Sequence, residues 1–238
     1  MKLITTHETT DFDALASCVA LQKLFPGAEI GVGGGFAPNV HQYLTLHGDR
    51  FRTQRCQDID LSAVDLLVVT DVRRRGRLRH VEEVLERSIR KPRSVRIVVW
   101  DHHPSAPDDL SADEEHVQPV GAVTTLVIEE LAARGVDIDR EEATLFSLGI
   151  HEDTGSLAYS RTSSRDATAL AWLLGHGAQP GLLQQFLRPP LDAVERSVLI
   201  SVLDAIDEIP AFGASVGAWA TEAKSTPATS VLATAAPN

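Results

Sequence analysis

A chain of 238 residues, 43% of them hydrophobic, can bury one large core or a core with an appendage. Its net charge of −11 argues against broad electrostatic binding to nucleic acid or an anionic membrane, although clustered carboxylates are a common way to collect divalent cations. No apolar run is long enough to span a bilayer, and Met1-Lys2-Leu3-Ile4 enters a strand without signal-peptide architecture, so a cytoplasmic location is the default expectation.

In chain order, Leu3 to Thr6 reads as a strand and Ala14 to Phe25 as a helix, with Leu15, Cys18, Val19, Gln22 and Phe25 at helical spacing. Cys18 lies on the apolar side of that helix, and neither it nor Cys56 belongs to a Cys-x-x-Cys pair, which argues against a disulfide framework or thiolate zinc site. Pro26-Gly27 stops the helix, and Ala28 to Val32 is a second strand. Gly33-Gly34-Gly35 lacks dinucleotide-binding spacing and reads as a flexible turn rather than a phosphate cradle. A short helix around Val40 to His47 follows.

Asp65 to Asp71 is a near-continuous apolar run of the kind a strand buried on both faces shows, and it ends in a carboxylate. An arginine cluster, Arg73 to Arg79, precedes a helix through Val81, Val84, Leu85 and Ile89. Val95 to Trp100 is another buried strand and ends in Asp101-His102-His103. Ser105 to Glu115 is acidic, contains proline and reads as a surface loop. Helices are expected from about Val120 to Arg134, from Asp139 behind a capping box to the region of Asp153, from Ser163 to Leu174, and from Pro180 to Leu187. A long amphipathic helix is expected over Asp192 to Ile209. Ala211 to Asn238, rich in Ala, Thr, Ser, Gly and Pro, reads as a poorly ordered tail. Strands alternating with helices predict an α/β fold, an open, mostly parallel sheet with helices on both faces.

Three of the predicted strands end in Asp or His. The first runs into His7-x-x-x-Asp11-x-Asp13, and strand ends are where open α/β sheets place their chemistry. With Asp71, Asp101, His102, His103 and Asp153, this set of hard oxygen and imidazole donors suits Mn²⁺ or Mg²⁺ better than structural zinc. Four or more carboxylates exceed one ion's needs unless some bridge, and Asp71 is the best-placed bridge for a two-metal hydrolytic centre.

His7-x-x-x-Asp11-x-Asp13, Val69-Thr70-Asp71, Asp101-His102-His103 and Gly149-Ile150-His151-Glu152-Asp153-Thr154-Gly155 resemble, in order, the four motifs of the DHH phosphoesterase family. The fuller wording around His7 and Asp153 is similar to the subgroup in which the DHH domain precedes paired CBS domains and a tRNA nucleotidyltransferase–poly(A) polymerase region. The resemblance covers about residues 1–209. It implies one metal on His7, Asp11 and Asp71, and a second on Asp13, Asp71, His102 and Asp153. It makes Asp71 and His103 catalytic, with His103 facing the substrate phosphate. Asp101 orients the histidine pair behind the ligands. Arg73 either holds a substrate phosphate or belongs to a solvated basic loop. The start of the helix at Gly121 to Thr125 either presents N–H groups to an anion or is an ordinary helix start. His151 and Glu152 read as solvated or packed neighbours of Asp153.

The implied cofactor is a pair of Mn²⁺ ions, with Mg²⁺ or Co²⁺ as substitutes. The implied substrate is a phosphate-containing small molecule or short single-stranded oligonucleotide, with no membrane partner, no extended nucleic-acid surface, and a homodimer compatible with the sequence. Many members of the family carry a second, C-terminal domain with a Gly-Gly-His motif that this chain lacks. The expected organisation is therefore a DHH domain over 1–190, a connecting helix over 191–210, and a tail over 211–238 as the remnant of a truncated second domain. The functional expectation is a metal-dependent phosphodiesterase. A metal-binding but weakly active remnant or interaction subunit, and a pyrophosphatase-like enzyme, are the alternatives.

Overall fold

In the computed structural model, which describes residues 1–187, 193–204, 206–209 and 214–217, the apolar runs become neighbouring strands of one sheet. The elements up to the middle of the chain are β1 (Lys2–Thr5), β2 (Thr9–Thr10), α1 (Phe12–Leu24), β3 (Glu29–Val32), β4 (Gly35–Phe36), α2 (Pro38–His47), β5 (Gln54–Arg55), β6 (Leu66–Thr70) and α3 (Glu82–Arg90). Then come β7 (Arg96–Asp101), β8 (Glu114–Val117), α4 (Val123–Ala133), α5 (Arg140–Asp153), α6 (Ser164–Gly175) and α7 (Gly181–Leu187). The six-stranded sheet has the order β5-β3-β1-β6-β7-β8, and every pairing in it is parallel.

That order reverses at β1. From β1 the chain winds outward through β3 and β5, then returns to β6 on the other side and winds outward through β7 and β8. Helices leave the sheet in opposite senses at such a switch point, so a crevice opens beyond the carboxyl ends of the two central strands. The register, with Thr5 opposite Val69 and Thr70 opposite Trp100, brings the ends of β1, β6 and β7 side by side.

Side chains alternate between two cores, as strands buried on both faces require. Ile4, Val68, Val98 and Trp100 face the core shared with α1, α4 and α5; Leu3, Leu67, Val69, Ile97 and Val99 face the one under α3. Helix α1 is buried without interruption from Phe12 to Leu21, because it lies between the sheet and α4 and α5. Gly149 of α5 makes that packing close: a Cβ there would stand 2.8 Å from the Ala16 Cβ and 3.0 Å from the Phe12 carbonyl oxygen.

Three features differ from the sequence expectation. Glu114–Val117, at the end of the expected loop, is edge strand β8; it has no apolar run because backbone pairing to β7 makes the strand, with the His116 ring stacked on Trp100 at 3.9 Å. The glycine turn forms β4, which pairs with β2, and the Gly34 and Gly35 amides donate to the Glu8 carbonyl oxygen, so this turn braces the His7–Asp13 loop. The long C-terminal helix is shorter than expected.

Met1–Pro189 forms one compact unit and Pro190–Asn238 another. In the second, α8 (Ala193–Asp204) ends five residues before Ile209, because Ile206–Ile209 forms β9, paired antiparallel with β10 (Ala214–Gly217). The rest of the expected tail, residues 211–213 and 218–238, lies outside the described residues. Among the described residues, no helix is long and apolar enough to cross a membrane.

Candidate metal centre at the switch point

The crevice beyond β1 and β6 holds the predicted donors. His7 follows β1 and is buried; Asp11 caps the N-terminus of α1, accepting from the Ala14 amide at 3.0 Å; Asp13 sits in the first turn of α1 and is fully buried. Asp71 directly follows β6 with φ of 58°, a left-handed conformation that costs a non-glycine residue energy and turns the chain sharply where the carboxylate must point into the crevice. Asp101 is the last residue of β7, His102 and His103 follow it, and Asp153 is the last residue of α5.

Asp71 is common to every cluster. One carboxylate oxygen lies 3.2 Å from His7 Nε2, which is itself 3.5 Å from Asp11. The other lies 3.4 Å from His102 Nε2, and that nitrogen is 3.3 Å from Asp153. His7, Asp11 and Asp71 can each offer one donor atom with all three within 4.8 Å of one another, and so can Asp13, Asp71, His102 and Asp153. A third such group, Asp71, Asp101, His102 and His103, overlaps these. Asp101 is otherwise engaged: one oxygen accepts from the His102 amide at 2.8 Å and from His103 Nδ1 at 2.7 Å, and the other pairs with Arg73.

Two observations fit divalent cations. His102 Nδ1 donates to the Val120 carbonyl oxygen at 3.1 Å, which fixes the tautomer and turns the Nε2 lone pair toward Asp71 and Asp153. Buried His102 Nε2 and the facing Asp71 Oδ1 then lack hydrogen-bond partners among the described residues, an arrangement of electron-rich atoms that a cation resolves. The donors are carboxylates and imidazoles; Cys18 and Cys56 are buried and absent from these clusters. This buried acidic and histidine cluster suits a hard divalent metal.

Without a cation, protons take up the excess charge. Burial pushes Asp153 up to about 7, helped by the charge of Asp71, and burial raises Asp13 as well. Burial alone would lower His7 and His102, but the facing Asp11 and Asp71 carboxylates carry His7 to about 9, and the Asp71 carboxylate, helped by the charges of Asp13 and Asp153, carries His102 to about 10. The His102 and His7 rings facing Asp71 outweigh its burial and hold it near 2.

Apart from the alternative that the Gly121 to Thr125 helix start meets an anion, the supporting contacts are the part that sequence reasoning missed. The Val123 and Thr124 amides, at the N-terminus of α4, donate to Asp13 at 2.8 and 3.0 Å. The anion at this helix start is thus a side chain of the protein itself. Asp166, fully buried, holds the turn before α4 by accepting from the Gly121 and Ala122 amides and from the Thr125 hydroxyl. Gly121 is required there, since a Cβ would stand 2.5 Å from Thr154 Cγ2. Glu152 is a partnered neighbour: it accepts from the Phe12 amide at 2.6 Å and from Asn39 at 2.7 Å, tying α5 to the start of α1. Its position beside Asp153 was the signal available in the sequence for this contact. Arg73 is buried, its Nε 3.4 Å from Asp101 and 3.2 Å from Asp109, and it donates to the His103 carbonyl oxygen at 2.9 Å.

Comparison with known proteins agrees with this architecture. The model of the DHH family, N-terminal domain, matches residues 2–150. The chain is 31% identical over 217 residues to an A-adding tRNA nucleotidyltransferase of Geobacter sulfurreducens, covering 91% of this chain and 24% of that protein. It is 29% identical over 224 residues to the cyclic-di-AMP phosphodiesterase GdpP of Geobacillus thermodenitrificans, covering 87% of this chain and 32% of that protein. It therefore spans about a quarter of the first of these curated relatives and about a third of the second. The crystal structure of an exopolyphosphatase-related protein from Bacteroides fragilis shares the fold, with a TM-score of 0.70 at 16% identity over 88% of this chain and 62% of that one.

Proposed function

Since this chain belongs to the DHH family, we propose that it is a two-metal phosphoesterase, preferring Mn²⁺, that hydrolyses phosphodiester bonds of short oligonucleotides or related nucleotides. The observation that carries this reading is the position of Asp71, whose two oxygens face His7 on one side and His102 on the other. His7, Asp11 and Asp71 would hold one cation; Asp13, Asp71, His102 and Asp153 would hold the other. Bound cations supply the positive charge that acidifies an attacking water and stabilises the phosphoryl and leaving oxygens.

The chain's own groups supply position. The amides of α4 and the Asp13 carboxylate fix each other, so that donor is held before any ligand arrives. Asp101 accepts from His103 Nδ1 and so leaves Nε2 of that ring to meet the substrate, hydrogen-bonding or protonating the leaving oxygen. The His103 side chain is 42% exposed, which suits a group that must reach a substrate.

The purified protein with Mn²⁺ should hydrolyse bis(p-nitrophenyl) phosphate or a dinucleotide, and Asp71→Asn should abolish this. Release of phosphate from pyrophosphate with no action on either diester would replace this reading with the pyrophosphatase-like one. The openness of the centre supports a second reading, metal binding with little turnover, because Asp153 and Asp11 are also 29% and 35% exposed along their side chains. Stoichiometric Mn²⁺ binding without hydrolysis of any of these compounds would favour it.

A further inference from the structure

Glu152 stands beside the centre but belongs to none of its donor clusters. Both of its oxygens are occupied: Oε2 accepts from the Phe12 amide at 2.6 Å and Oε1 accepts from Asn39 Nδ2 at 2.7 Å. Phe12 lies between Asp11 and Asp13, and Glu152 immediately precedes Asp153. One hydrogen bond thus fastens the segment that carries two of the donors to the segment that carries a third.

Its counter-charge is what distinguishes this carboxylate. Asp101, the other acid behind the donors, is paired with Arg73. Glu152 meets only the two neutral N–H donors, and among the described residues no Lys, Arg or His forms an ion pair with it. It is half-buried, and burial and the charges of Asp11 and Asp71 all act against its ionised form. A carboxylate withdrawn from water ordinarily needs a cation to offset the cost. Asp11, Asp13, Asp71 and Asp153 already crowd four carboxylates into the same crevice. A fifth that neither ligates nor pairs burdens the metal-free fold, and a cation at the centre is the charge that relieves it.

We propose that Glu152 is a positioning residue with two actions: it fixes the start of α1 through the Phe12 amide, and its uncompensated negative charge tightens the hold on divalent cations without touching them. The inference deepens the two-metal reading and rests on it. Charge set behind the ligands acts at a distance here because partial burial keeps water and salt from screening it.

Glu152→Gln in the full chain separates charge from bracing. Its amide oxygen still accepts from the Phe12 N–H, and its NH₂ group can donate to Asn39 once that amide turns over. In EDTA at pH 8 the variant should melt about 2–4 °C higher, a shift of the size one such contribution makes in a chain of this length. Titrated calorimetrically, Mn²⁺ should bind it about tenfold more weakly, the lower end of the effect of groups behind metal ligands. The opposite signs are the signature, since a residue that only braced α1 would lower both or neither. Asn39→Ala, which removes one donor and keeps the charge, should lower Tm and leave Mn²⁺ affinity little changed. Unchanged Mn²⁺ affinity in Glu152→Gln, or a Tm in EDTA that does not rise, overturns the role of the charge while the two-metal reading stands. Failure of the parent chain to bind Mn²⁺ overturns both.

Discussion

The Asp13 carboxylate belongs to the first turn of α1, yet the first turn of α4 binds it: the Val123 and Thr124 amides donate to its two oxygens at 2.8 and 3.0 Å. A single side chain therefore satisfies helix-end donors and faces the metal centre. Its geometry depends on whatever holds α4, which is Asp166. Asp166→Ala leaves the Gly121 and Ala122 amides and the Thr125 hydroxyl without their buried partner. The expected result is a loss of about 2–3 kcal/mol in denaturant unfolding, the range for buried groups left unsatisfied, together with weaker Mn²⁺ binding. Unchanged Mn²⁺ affinity in a folded Asp166→Ala protein would show that the α4 turn does not position the centre.

Shared ligation predicts unequal effects on stoichiometry. Asp71→Asn should lower bound Mn²⁺ from two per chain to fewer than one. Asp11→Asn, which keeps an oxygen able to cap α1, should leave one. Metal analysis after gel filtration distinguishes these outcomes, and two ions retained in Asp71→Asn would exclude a bridging role.

The protons held by the metal-free centre predict an unusual pH dependence. Asp153 titrates near 7 in the folded chain against an ordinary value of 3.8, so the native state binds the extra proton and stability falls as pH rises through that window. His7 near 9 and His102 near 10 act in the same sense: their contribution is complete below 6.5 and is lost as pH climbs toward those values. Asp71, near 2, stabilises above 3.8 and loses its contribution only in stronger acid. In EDTA, Tm should be higher at pH 6 than at pH 8. Saturating Mn²⁺, which displaces these protons and binds better as pH rises, should narrow or reverse the order. A Tm in EDTA that rises from pH 6 to pH 8 would contradict this.

Asp101 orients His103 and balances Arg73, so its loss should separate turnover from metal binding. Asp101→Asn should lower kcat by about 10–100-fold, the range typical of groups that orient a metal site, and change Mn²⁺ affinity much less. The altered ring orientation should also appear as a shifted His103 resonance in NMR spectra. Equal losses in kcat and metal affinity would instead make Asp101 a ligand.

The local elements and the identity of the donors were legible along the chain, because a buried parallel strand announces itself by an apolar run and a metal centre by the side chains that close it. Leu66 to Asp71 and Ile97 to His103 show both within a few residues. The edge strand Glu114–Val117 and the shortened α8 were not legible, since backbone pairing rather than side-chain pattern makes β8 and β9. The same physics hid the support of the site. The amides that hold Asp13 lie 110 and 111 residues away and carry no side-chain signature, so only the packing of α4 against α1 reveals them. Tertiary structure also sorted the arginines: the sequence singled out Arg73 from the basic cluster as the candidate to hold a phosphate, but burial between Asp101 and Asp109 neutralises it and leaves Arg74 and Arg77 exposed. Sequence determines which groups are available, whereas their remaining charge and fixed direction follow from what the fold places around them.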